Sequence, residues 1–254
     1  MGETVSPISS LLPLLLAAGL LSDTAIAGPA FDKPLRIVVV QGPPEPAGSG
    51  MPITISCFYY PTYMVKAISG DKNPSMEHAG AIVPDSRSSC REKNQDENYT
   101  GWGPFVGVKG GFVFFGGSGV REDGDEGFVL TNSSGRMSLL DFKIGDFESI
   151  RVVPRGIVLR YRRAFFHSCS LYYGRSTACW SEIRALTALP DASAPLCRDA
   201  YEHRREIYQK NHWRLFEDVT KFPAAVSYNV EARYVNGKWS FTPRPGSVEC
   251  WPEF

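Results

Sequence analysis

Residues 105–163 read FVGVKGGFVFFGGSGVREDGDEGFVLTNSSGRMSLLDFKIGDFESIRVVPRGIVLRYRR. Short apolar runs recur there between turn-forming clusters. The runs 105–108 and 112–115 flank Lys109-Gly110-Gly111. The runs 127–131 and 137–142 flank Asn132-Ser133-Ser134-Gly135, and 149–153 and 157–163 flank Pro154-Arg155-Gly156. Each connector supplies residues that tolerate a tight turn, and each flank has strand length. The stretch therefore predicts three consecutive hairpins in an antiparallel meander. The hairpins share length but little sequence, so they are not a repeat, although a propeller-like blade is an alternative arrangement.

Working toward the N-terminus, Ile53-Thr54-Ile55-Ser56-Cys57-Phe58 alternates with period two, as a half-buried strand does. Residues 35–40, 63–68 and 79–83 are further strand candidates. The segment 41–51 is rich in Pro and Gly and predicts a loop. Residues 84–103 are polar and irregular, which predicts a long surface loop pinned by Cys90.

Toward the C-terminus the period changes. Trp180, Ile183, Leu186 and Leu189 fall on one helical face, with Thr177 before them and Pro190 after. A second helix is expected over 197–209, with Ala200, Tyr201, Ile207 and Tyr208 facing inward. Val226, Tyr228, Val230, Ala232 and Tyr234 then alternate with polar neighbours. Asn236-Gly237 is a strong turn signal before a returning strand. The fold expected is β-rich α+β. Its antiparallel sheets are meander-like or sandwich-like, with two short helices inserted near 180–209. No convincing linker interrupts residues 28–254, which are read as a single domain.

The chain has 254 residues, of which 43% are hydrophobic and 12% aromatic, which excludes a disordered chain. Lys and Arg total 27, as do Asp and Glu. That balance excludes a dedicated nucleic-acid binder, which needs a basic surface.

Residues 11–21 read LLPLLLAAGLL, too short to cross a bilayer core. Polar residues and Ala25-Ile26-Ala27 follow, a small-x-small cleavage pattern. Residues 1–27 are read as an export signal cut near Ala27, although residues 1–10 lack the usual Lys or Arg. No cysteine sits near the cut, so a lipid anchor is not expected, and no later stretch approaches transmembrane length, so no transmembrane anchor is expected either. The alternative, a buried N-terminal helix, is opposed by Pro13 and by the Pro/Gly-rich segment that follows.

Six cysteines remain: Cys57, Cys90, Cys169, Cys179, Cys197 and Cys250. An even number in an exported chain implies disulfides. None forms a CxxC, which disfavours a redox pair or zinc knuckle. Cys57 and Cys90 are isolated in the N-terminal half and are expected to pair. The other four should pair among themselves and tie the helical segment to the C-terminal strand.

The strings Tyr63-Met64-Val65-Lys66, Gly107-Val108-Lys109-Gly110, Val113-Phe114-Phe115, Cys169-Ser170-Leu171-Tyr172, Cys179-Trp180 and Cys250-Trp251-Pro252 resemble those of a group of uncharacterised exported bacterial proteins. The resemblance runs across most of residues 28–254. It implies export and assigns no chemistry.

Candidate chemistry is sparse. His167 and His203 are the histidines best placed to act as a base in a site assembled from dispersed residues. His167-Ser168 are strand neighbours whose side chains point to opposite faces, so they make no dyad. Gly116-Gly117-Ser118-Gly119-Val120 approaches a nucleophile elbow but lacks the final glycine and the following helix. Glu122, Asp123, Asp125 and Glu126 could supply oxygens to calcium, but they miss the EF-hand spacing, and hairpin tips collect such residues for turn reasons. No other metal site and no cofactor is expected. The aromatic doublets remain. On a strand one ring of a doublet faces inward and the other outward. Tyr59, Tyr60, Phe115 and Tyr173 are therefore candidates for a binding surface, unless a helix layer covers both sheet faces. The function expected is an exported, non-catalytic binding protein. Its partner would be a protein or small ligand of the cell envelope or extracellular space. The alternative is an exported hydrolase with a dispersed site.

Overall fold

The computed structural model describes residues 31–44, 52–69, 77–91, 93–94, 97–99, 103–120, 125–173, 177–189, 194–210 and 218–250. Residues 1–27, read as an export signal, lie outside the described residues, as do Glu122, Asp123 and His212. Asp125, Glu126 and His78 are described as strand backbone only.

Five strands form the first sheet: β1 (Arg36–Pro44), β2 (Pro52–Tyr59), β3 (Met64–Ser69), β4 (Glu77–Val83) and β5 (Asn98–Tyr99). They neighbour one another in chain order, and every pairing is antiparallel. The period-two pattern of β2 has the expected result. Ile55, Cys57 and Tyr59 enter one core, while Phe58 packs against the other.

The second sheet also follows chain order, through β6 (Phe105–Lys109), β7 (Phe112–Val120), β8 (Asp125–Asn132), β9 (Met137–Val153), β10 (Gly156–His167), β11 (Ala224–Val235) and β12 (Lys238–Pro243). Short β13 (Glu249–Cys250) pairs with the start of β11. The turns use the expected residues. Gly110 and Gly111 have φ of 57° and 81°, and Asn236 and Gly237 have φ of 52° and 80°. Such values suit Gly and Asn and match the twist of hairpin strands.

One expectation changes. The arms read as separate strands at 137–142 and 149–153 form one 17-residue strand, β9. Its register breaks in the middle: Ile144 lies opposite Arg162, while Ser149 lies opposite Arg160. The extra residues form a bulge at Gly145, whose φ is 66°. The bulge turns Phe147 inward, where its ring meets Phe114, Phe128 and Tyr161 at 5.0–5.7 Å. The sheet curls as a result. The Trp239 Nε1–H of β12 donates to the Ser138 carbonyl of β9 at 2.6 Å. The ring of Tyr234 on β11 meets Phe112 on β7 at 5.7 Å.

The sheets pack face to face. Tyr60, Tyr63, Val65 and Ile82 of the first meet Val108, Val113, Phe115 and Val129 of the second. This packing corrects the expectation for three of the doublet rings. Phe114 enters the large curled core and Phe115 the layer between the sheets. Tyr60 joins Phe115, and Tyr59 is buried on the far face beneath the 84–97 loop, where its O–H donates to the Ser88 carbonyl at 3.1 Å. Tyr59, Tyr60 and Phe115 are thus core residues. Both faces of their strands are covered: the facing sides by the opposite sheet, the far face at Tyr59 by the pinned loop, and the other face of the Phe115 strand by the large curled core, to which Trp180, Ile183 and Tyr201 contribute.

Burial, with the charge of Asp32 nearby, pushes the Tyr60 phenol up to about 12. A group whose pKa is raised by folding adds stability below its unfolded value and loses it as pH rises toward the folded one. Alkaline unfolding should therefore steepen between about pH 10 and pH 12. Tyr60→Phe is expected to make that loss shallower than in the parent protein. Equal pH slopes for the two in denaturant titrations would refute the assignment.

The helices α1 (Thr177–Thr187) and α2 (Arg198–Lys210) lie between β10 and β11 in sequence. Trp180, Ile183 and Tyr201 complete the large core with Leu171, Val219 and Tyr228. Leu186, expected to face inward, is 64% exposed. The buried stripe of α1 is Cys179, Trp180, Ile183 and Thr187, because the Thr187 hydroxyl satisfies itself on the Ile183 carbonyl at 2.7 Å. Disulfides join Cys57 to Cys90, Cys169 to Cys179, and Cys197 to Cys250. The first pins the 84–97 loop, the second ties the end of β10 to α1, and the third ties α2 to β13.

Candidate functional site

The chain leaves β10 through Ser170-Leu171-Tyr172-Tyr173. Leu171 plugs the core, and its N–H donates to the Tyr201 hydroxyl at 3.2 Å. Anchoring Leu171 sends Tyr173 outward, where it is 74% exposed. The same logic acts at the entry to α2. The bridge to Cys250 holds Cys197 inside, and the preceding Leu196 is 95% exposed. Between these two side chains lies a hollow of about 550 Å³, lined also by Tyr172, Arg198, Asp199 and Thr220.

Its walls are held in place. The Tyr172 ring sits edge-on to Tyr173 and Tyr201 at 5.0 and 5.8 Å. The Tyr172 O–H donates to Glu202, which raises its phenol pKa, with burial adding to the effect and Arg198 opposing it. Thr220 is fixed by Asp218, whose carboxylate accepts its N–H at 3.1 Å. Two disulfides bracket the hollow in sequence and limit its movement. Tyr and Arg are residue types enriched in recognition patches, and the exposed Leu196 adds apolar area beside them.

Of the surface aromatics expected from the sequence, Tyr173 therefore stands in solvent at a concave site. Tyr59, Tyr60 and Phe115 do not contribute to it.

His167 ends β10. Its Nδ1 lies 2.9 Å from Cys169 Sγ and 3.3 Å from the Cys169 N–H, and its Nε2 lies 3.7 Å from the Glu182 carboxylate. The potential ligand atoms of His167, Cys169 and Cys179 sit within 4.8 Å of one another, but the sulfurs are joined to each other and offer no thiolate to a metal. His203 is exposed on α2. Of the acidic cluster read as a possible calcium loop, Asp125 and Glu126 are β8 residues opposite Ile144 and Lys143, and Glu122 and Asp123 lie outside the described residues.

The curled face of the second sheet holds a polar group that the sequence reading missed. Tyr161 donates to the Asp141 carboxylate, and Arg163 Nε donates to it at 3.0 Å. Arg163 also donates to the Tyr228 hydroxyl at 3.2 Å and lies 4.4 Å above the Phe241 ring. Burial pushes the Asp141 carboxyl above its ordinary range, against the pull of Arg163 and the Tyr161 hydroxyl. Burial also works against the Arg163 charge, but attraction to Asp141, Tyr228 and Tyr161 more than offsets it. Nearby, Phe31, Phe114, Phe128 and Phe147 line a hollow of about 380 Å³ that reaches Lys143 and Asp146. Parity is the signal that could have found this group. Asp141 shares its strand face with Leu139 and Phe147, and Arg163 shares its face with Tyr161 and Phe165, all of them in the large core or packed against it.

Against these features, no protein-family model, curated protein or solved structure matches the chain.

Proposed function

We propose that the chain is an exported binding protein that engages a protein or small ligand through the hollow at the start of α2. The observation that carries this reading is the pairing of Tyr173 and Leu196. Two large apolar side chains are held in solvent around one concavity by the bridges that fix their neighbours. Folding gains nothing from exposing them, whereas association would bury them. Three disulfides, with no described helix long and apolar enough to cross a membrane, are consistent with export, and the 1–27 leader supplies the route. The competing hydrolase reading needs a nucleophile beside His167, and the sulfur in that position is bonded to Cys179.

The test is capture by the exported protein, expressed from the full chain and immobilised with its disulfides intact. Envelope and secreted fractions are passed over the parent and over Tyr173→Ser and Leu196→Ser. A partner held through this hollow should bind each variant about 30-fold more weakly, the effect of losing a central anchor worth about 2 kcal/mol. A partner retained equally by all three proteins would place binding elsewhere.

A further inference from the structure

The three bridges are alike in burial: Cys57, Cys179 and Cys197 are buried, and their partners Cys90, Cys169 and Cys250 are half-buried. They differ in what touches the half-buried sulfur. Cys90 Sγ faces the Val38 and Ile55 carbonyls at 3.6 and 3.8 Å, whereas Cys169 Sγ lies 2.9 Å from an imidazole nitrogen. Its partner Cys179 is the third residue of α1, an 11-residue helix. The N-terminal turn of a helix presents unpaired N–H groups and a positive dipole end, which lower the energy of a thiolate there. The Cys169 N–H is directed at His167 Nδ1 at 3.3 Å, so that nitrogen is an acceptor in the oxidised form, and the Cys169 sulfur at 2.9 Å is close enough to compete with the N–H for its lone pair. The Glu182 carboxylate lies 3.7 Å from the other ring nitrogen.

We propose that Cys169–Cys179 is an exchangeable disulfide that accepts two electrons from a dithiol partner, with Cys169 the sulfur attacked and His167 its proton acceptor. A partner thiolate attacks the more accessible Cys169 Sγ. The Cys169–Cys179 bond breaks, and Cys179 leaves as a thiolate at the start of α1. The partner's second thiol gives its proton to solvent and attacks the partner sulfur of the mixed disulfide. Cys169 is released and the partner leaves as a disulfide. When Cys169 exists as a thiol, its proton passes to His167 Nδ1, leaving thiolate beside imidazolium. The absence of CxxC spacing does not oppose this, because the two thiolates are stabilised by separate devices, one on the strand end and one on the helix. The structural alternative is a passive staple between β10 and α1, for which the identity of residue 167 should not matter.

The whole exported protein is equilibrated in graded dithiothreitol and oxidised dithiothreitol, quenched in acid and alkylated. Peptide mass spectrometry then reads each cysteine pair. Cys169–Cys179 should open at a ratio about tenfold less reducing than the other two pairs. His167→Gln should move that midpoint about fivefold or more toward reducing conditions. It should also slow alkylation of reduced Cys169 at neutral pH by a similar factor, while Cys57–Cys90 and Cys197–Cys250 stay unmoved. Retention of those two pairs reports that the variant is folded. Opening together with the other bridges would overturn the proposal. So would a His167→Gln midpoint and alkylation rate equal to those of the parent, even if this bridge opens first, because a passive staple closing a short loop could also do that.

Discussion

Glu97→Ala is expected to lower the stability of the folded chain by about 3–5 kcal/mol, the range for stripping one partner from a buried ion pair. Lys66 stands in the middle of β3, opposite Cys57 on one side and Ala81 on the other, and is 0% exposed. Its ammonium pairs with Glu97 and donates to the Arg91 carbonyl at 3.3 Å. Glu97 also accepts the Asn94 N–H at 3.0 Å, and the Asn94 side chain donates to the Ser89 carbonyl at 2.8 Å. One carboxylate therefore serves both the buried cation and the loop that buries it. Removing it takes the Glu97 charge away from the buried Lys66 ammonium and slackens the cover. Lys66→Met combined with Glu97→Leu should recover most of the loss, since an apolar pair of similar volume carries no desolvation cost. The Cys57–Cys90 bridge fastens the same loop one strand away. Its removal should therefore be non-additive with Glu97→Ala. Urea unfolding of the single and double variants measures all of these effects. A Glu97→Ala loss under about 1 kcal/mol would show that the pair is solvated and that the loop does not seal it.

How much of this molecule is legible in the sequence depends on the range of the physics involved. The hairpins, the Asn236-Gly237 turn and the alternation of β2 and β11 are local. Turn chemistry and period-two patterning specify them without reference to distant residues. The Cys57–Cys90 pairing follows from isolation along the chain. The continuity of β9 was hidden, because Lys143-Ile144-Gly145-Asp146 reads as a turn, and a bulge uses the same residues as a turn does. The doublets failed for a different reason. Alternation says that Tyr59 and Tyr60, or Phe114 and Phe115, point to opposite faces, and they do. It does not say that both faces are covered, which depends on a second sheet contributed from far along the chain. The aromatic that reaches solvent, Tyr173, lies beyond the strands, in a connector where a single plugged leucine sets its direction. Leu196 was invisible as a site residue for the same reason: its exposure follows from a bridge between residues 53 apart in sequence.

Asp141→Ala tests the most buried charged residue among those described in the second sheet, and a loss of about 3–5 kcal/mol is expected. Arg163 remains charged at any accessible pH, so deleting Asp141 strands a guanidinium on the curled face. It also removes the acceptor of the Tyr161 hydroxyl, an unmade bond that itself costs about 1–3 kcal/mol. The two penalties share one carboxylate, so they do not simply add. Tyr161→Phe should cost less than Asp141→Ala, because Arg163 keeps its bond to Asp141. Asp141→Leu combined with Arg163→Met should fall closer to the parent than Asp141→Ala alone, because no orphaned charge is left and the Met side chain can still cover Phe241. The network also sits just beyond the β9 bulge, where Lys143 lies opposite Arg163. A one-residue slip of β9 would carry Asp141 to the other face of the sheet and away from Arg163. The apolar double variant lacks that restraint. Amide exchange at 140–144 should therefore quicken relative to the parent, even where global stability is recovered. Parent-like exchange in the double variant would mean that the bulge and the apolar core fix the register by themselves. An Asp141→Ala protein as stable as the parent would mean that Arg163 finds water on this face, so the curled sheet would not be closed there.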